Sequence, residues 1–83
     1  MSITMMMAQR TVTGTVTSAE DGEPIIGASV IVPGTKTGTV TDIDGNFSLK
    51  VPEGTKTLRF SYVGMATQVV SVKNKMNVIL DSD

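Results

Sequence analysis

Apolar side chains recur at every second position in short runs along this chain: Val12 and Val16 flank Gly14, and later come Phe47, Leu49 and Val51, then Leu58, Phe60 and Tyr62, then Met76, Val78 and Leu80. Period two sends successive side chains to opposite faces of an extended strand, so each run has one apolar face and one polar face. Turn chemistry separates the runs at nearly even spacing: Asp21-Gly22 with Pro24, Pro33-Gly34, Asp44-Gly45-Asn46, Pro52 with Gly54, Gly64, and Lys73-Asn74-Lys75. The pattern predicts seven strands, over residues 10–18, 28–32, 37–42, 46–51, 57–63, 66–72 and 76–81. One wet face per strand implies antiparallel pairing. Helical spacing of apolar residues is nowhere sustained without Gly or Pro, so the class is all-β. Gly14, inside the first strand, predicts a bulge or the close approach of another backbone. Phe47, Phe60 and Tyr62 all sit at core-facing positions, Tyr62 with its hydroxyl at the rim.

Length adds a bound, since 83 residues supply one small domain. Seven basic and eight acidic side chains give a net charge of −1 and are interspersed along the sequence. No electrostatic footprint for nucleic acid or anionic lipid is visible in that order. The chain has no Cys and no His, which removes disulfides, thiol nucleophiles, imidazole bases and the commonest zinc sites. It also lacks an apolar run long enough to span a membrane as a helix. Residues 1–9, MSITMMMAQ, are expected to be disordered and to represent either the tail of a secretory signal peptide or a cloning remnant with no targeting role. The folded domain is expected over residues 10–81, with residues 82–83 beginning a linker.

Candidate chemistry is sparse. Asp42, Asp44 and Asn46 place three oxygen-bearing side chains within five residues, as at the start of a calcium loop. Counted from Asp42, Gly45 falls too early for an EF-hand, and Phe47, Leu49 and Val51 read as a strand, so the turn reading is preferred over the metal reading. Gly34-Thr35-Lys36-Thr37-Gly38 has the composition of a phosphate loop without its order and joins two strands. No spacing diagnostic of a nucleophile, a general base or paired catalytic carboxylates is present, and no cofactor is implied. The non-enzymatic feature that stands out is the alternation of Thr37, Thr39 and Thr41, a candidate edge for pairing with a partner strand; residues 10–17 form a second such candidate.

Several segments in combination resemble the carboxypeptidase-regulatory-like domain: Thr13-Gly14-Thr15-Val16; Asp21-Gly22-Glu23-Pro24 with Ile25-Ile26-Gly27-Ala28-Ser29-Val30; Gly38-Thr39-Val40-Thr41-Asp42; Asp44-Gly45-Asn46-Phe47-Ser48-Leu49; and Phe60-Ser61-Tyr62-Val63-Gly64. The version they look most like stands at the N-terminus of SusC/RagA-type TonB-dependent outer-membrane transporters of Bacteroidetes. That resemblance implies a transthyretin-like (prealbumin-like) Greek-key sandwich, a secreted precursor, and a place on the periplasmic side of the outer membrane without insertion of this segment into it. It implies a non-catalytic accessory domain of a nutrient (glycan) importer, with protein partners: the rest of the transporter chain and a periplasmic protein. The alternatives are a folding-aid or spacer domain attached to a peptidase or other secreted enzyme, and a calcium- or glycan-binding module.

Overall fold

The computed structural model describes residues 9–83. Among these residues seven strands follow one another without a helix: β1 (Gln9–Ser18), β2 (Ser29–Ile31), β3 (Gly38–Val40), β4 (Asn46–Pro52), β5 (Thr57–Ser61), β6 (Gln68–Ser71) and β7 (Lys75–Leu80). They form two sheets, one in the order β4-β1-β7 and the other β3-β2-β5-β6. Every strand coincides with one predicted run, and the shorter strands β2, β3, β5 and β6 give up their ends to turns.

One pairing departs from the expectation of an antiparallel sheet: β1 and β7 run parallel, with Gly14 opposite Met76 and Val16 opposite Val78. The reason lies in the connections. Each link between consecutive strands reverses the chain, so odd-numbered strands share a direction, and two odd strands that meet in one sheet pair in parallel. All other pairs join an odd strand to an even one and are antiparallel.

The faces follow the period-two pattern. Val12, Val16, Phe47, Leu49, Val51, Met76, Val78 and Leu80 of one sheet meet Val30, Leu58 and Phe60 of the other in a single buried cluster. Tyr62 is the exception among the predicted core aromatics: it lies past the end of β5 and is 38% exposed. Gly14 marks a close approach and not a bulge, because the β1–β4 register runs unbroken from Gln9↔Pro52 to Thr15↔Asn46. A Cβ at position 14 would lie 2.5 Å from the Met76 carbonyl oxygen and 2.6 Å from Phe47 Cε1. The Phe47 ring occupies that space and continues to Phe60 on the facing sheet, centroid to centroid 5.5 Å at 64°, an edge-to-face contact.

At the ends of the described residues, Gln9 pairs with Pro52 in β1; the leader expectation otherwise concerns residues 1–8, outside the described residues. Residues 82–83 are tied to the sandwich: Ser82 bridges Met65, its hydroxyl donates to Glu20, and the Asp83 N–H donates to the Gly64 carbonyl at 3.1 Å.

Thr41, one residue past β3, is the one buried polar side chain among the described residues. Its hydroxyl accepts the Ala28 N–H at 2.9 Å and donates to the Ile25 carbonyl at 2.5 Å. Its own N–H and C=O bind the Ala28 carbonyl and the Gly27 N–H, each at 3.0 Å. This residue therefore fastens the β1–β2 loop to the sheet.

Two substitutions test these contacts by chemical denaturation. Gly14→Ala is expected to lower stability by about 2–3 kcal/mol, because a carbonyl oxygen of the parallel partner cannot move aside as a side chain can. Thr41→Val, equal in shape, strands a buried donor and a buried acceptor and is expected to cost about 2–4 kcal/mol, whereas Thr41→Ser keeps both bonds and should cost about 1 kcal/mol.

Candidate protein-contact surface

The strand-edge candidates fall in different places. Residues 10–17 belong to β1, where residues 13–17 are bonded on both sides and closed to a partner strand, while residues 10–12 pair with β4 alone. The edges are β3 and β6 in one sheet and β4 and β7 in the other. Strand β4 carries Lys50 and ends in Pro52, which has no N–H to offer. Strand β7 starts at Lys75, and its upper edge is covered, since Gln68 Nε2 donates to the Ile79 carbonyl at 2.7 Å and the Ala66 N–H to the Asp81 carbonyl at 2.8 Å. Lysine, proline and such covers are the usual guards against edge pairing. Strands β3 and β6 hold no charged residue.

Within β3 the free groups are not those of the threonines. The Val32 N–H donates to the Thr37 carbonyl at 2.9 Å and the Thr41 N–H to the Ala28 carbonyl at 3.0 Å, while Thr39 stands opposite Val30. Hydrogen-bonded and non-bonded pairs alternate in an antiparallel ladder, so Thr37, Thr39 and Thr41 all turn their backbone toward β2. Gly38 and Val40 turn theirs outward. Val40 is 60% exposed, and beside it Ser29, Ile31, Lys36, Gly38, Thr39 and Val40 line an open hollow of about 410 Å³. Side-chain alternation in the sequence marks the strand; which parity is free requires knowing that β2 lies on one side only.

Asp42, Asp44 and Asn46 come together as a turn. Asp42 Oδ1 accepts the N–H groups of Asp44 and Asn46, both at 2.9 Å, and Asn46 Oδ1 accepts the Thr15 hydroxyl at 2.7 Å. Asp42 also exchanges backbone bonds with Asn46 and Gly45. Gly45 is needed at the tip because its φ is +74° and a Cβ would meet the Val16 carbonyl oxygen at 2.7 Å. Two of the three candidate ligand groups are thus engaged, Asp42 in closing the β3–β4 turn and Asn46 with Thr15 of β1. No group of three or more Asp, Glu, His or Cys suited to a metal ion occurs among the described residues. The Gly34–Gly38 segment is likewise a hairpin loop, closed by the Thr35 hydroxyl on the Val32 carbonyl at 2.8 Å and by the Thr37 N–H on that hydroxyl at 3.0 Å.

Comparison with known proteins adds the family. Residues 12–82 match the model of the CarboxypepD_reg-like domain. TonB-dependent receptor SusC of Bacteroides thetaiotaomicron is 46% identical over 83 residues, all of this chain and 8% of that protein. TonB-dependent receptor P3 of Formosa agariphila is 43% identical over 70 residues, 84% of this chain and 7% of that protein. The chain thus spans less than a tenth of the length of these relatives. Among solved structures, a chain of the type II cohesin-X-dockerin complex from Acetivibrio cellulolyticus superposes with a TM-score of 0.66 at 25% identity, covering 86% of this chain and 56% of that one. A two-sheet sandwich closed around Gly14, with a family match over nearly all of it and similarity along its whole length to a segment of SusC, belongs to the CarboxypepD_reg-like domain family, in the form that TonB-dependent receptors carry.

Proposed function

We propose that this chain is a non-catalytic N-terminal accessory domain of a TonB-dependent outer-membrane nutrient (glycan) transporter, held on the periplasmic side and acting through protein contacts. The observation that carries the reading is the 46% identity with SusC over all 83 residues. A prealbumin-like connectivity of the two sheets is part of the same reading. The mechanism it favours is strand addition at β3, where Gly38 and Val40 present free backbone groups and the adjoining hollow can seat a partner side chain.

A second reading is a folding-aid or spacer domain attached to a peptidase or other secreted enzyme. The sequence that follows Asp83 in the encoding gene separates the two: a TonB-contacting segment with plug and barrel supports the first, and a catalytic domain beside this one supports the second.

A photo-crosslinking residue placed at Val40 in the full-length receptor, in intact outer membranes, is expected to give discrete protein adducts, and one placed at Thr13 on the outer face of β1 is expected to give none. Adducts from Thr13 alone would overturn strand addition at β3, and the absence of adducts from any surface position would overturn the contact reading itself.

A further inference from the structure

Charges that are interspersed in the sequence are sorted in space. Because the chain reverses at every connection, alternate turns come to the same end of the sandwich. The β1–β2 turn (Glu20, Asp21, Glu23), the β3–β4 turn (Asp42, Asp44) and the segment after β7 (Asp81, Asp83) share one end and hold seven of the eight acidic residues. No Lys or Arg lies in any turn at that end, and the β5–β6 turn there is uncharged. The opposite turns carry Lys36, Lys56 and Lys73 with Glu53, and the remaining basic residues are in the strands.

The acidic end is also where apolar surface is exposed. Ile26 (55%), Ile43 (73%), Tyr62 (38%) and Val63 (86%) all stand in its turns, and none of the large exposed apolar residues among the described residues stands in a turn at the other end. Pro24, Ile25, Ile26, Tyr62 and Met65 line a groove of about 360 Å³. Glu20, Asp21 and Glu23 form its rim with Ser18. Asp21 Oδ1 accepts the Glu23 N–H at 2.9 Å and Glu20 accepts the Ser82 hydroxyl, which orders the rim while leaving further carboxylate oxygens and the Glu23 side chain open.

We propose that this groove docks a cationic segment of a partner protein in which a large apolar side chain lies between Lys or Arg residues. The apolar floor supplies the anchor site and the carboxylate rim the steering and register, the usual division of labour in a protein interface. The Tyr62 ring face adds a site for a cation. A second copy of this chain does not fit as occupant, because its acidic end is repelled and the turns of its basic end offer no large exposed apolar side chain. The proposal rests on reading the domain as a contact module, but not on the β3 edge.

The test is an amide NMR titration of the isotopically labelled chain with three short synthetic peptides: one with Leu and Trp between Arg residues, one with Glu in place of Arg, and one with Ser in place of Leu and Trp. The first is expected to shift amides of residues 20–26 and 62–65, with binding that weakens as salt is raised from ~0.1 to ~1 M and the screening length falls from about 10 to about 3 Å. Glu23→Lys and Ile26→Ser should each weaken it about tenfold, while Val69→Ser, at an exposed position of β6 outside the groove, should leave it unchanged. Both altered residues are exposed, and retention of the amide spectrum shows that the fold is intact. Equal binding of the Glu or the Ser peptide, shifts confined to β3 or β6, or no shifts with any peptide would overturn the groove. So would slowed tumbling with rising protein concentration that Ile26→Ser abolishes, which would assign the groove to a second copy. Photo-adducts from Val40 in the receptor, together with a silent groove, would remove this site and leave the contact reading standing.

Discussion

The structure depends on the missing side chain at Gly14. Strand β1 is the only strand of its sheet bonded on both sides, and at its centre the Met76 carbonyl and the Phe47 ring both reach into the place a Cβ would take. A residue with a Cβ would push away either the parallel neighbour or the ring. Pushing the ring would also break the edge-to-face contact with Phe60, a direct aromatic link between the sheets. The entropic cost of glycine in a strand, about 0.5–1 kcal/mol, is small beside what these contacts hold together.

The directions of the strands, set by the connections, in turn set the distribution of charge. Reversal at every connection makes β1 and β7 parallel, and the same parity brings the first, third and fifth turns to one end and the second, fourth and sixth to the other. Acidic residues placed in odd turns and lysines in even turns become a polarised molecule with a net charge of only −1. Composition alone cannot reveal such polarity, since it sums over both ends.

How much of this was legible in the sequence depends on the range of the interaction. Strand positions are set by local alternation and turn residues, so all seven were legible, as was the close approach at Gly14. Pairing partners are set by non-local contacts, and residues 10–17 therefore passed for an edge throughout although residues 13–17 are bonded on both sides. Thr41 continued the alternation of Thr37 and Thr39, and the same parity sets it opposite buried Ala28, where its hydroxyl meets backbone groups of Ile25 and Ala28 instead of water. Tyr62 continued the alternation of Leu58 and Phe60 in the same way, but its strand ends at Ser61. The sign alternation of the turns was present in the sequence too; it acquires meaning once the turns are assigned to ends.

The two proposed contact regions are joined through Thr41. Its backbone extends the β2–β3 pairing beyond Val40, and its hydroxyl holds the carbonyl of Ile25, a residue lining the groove. The β3 edge and the groove floor thus share one buried anchor with four hydrogen bonds, two from the hydroxyl and two from the backbone. A partner reaching both regions meets them at a fixed separation, and the ordering cost of the β1–β2 loop is met on folding, before any binding. Rigidity at Thr41 is for that reason as much a property of the surface as of the core.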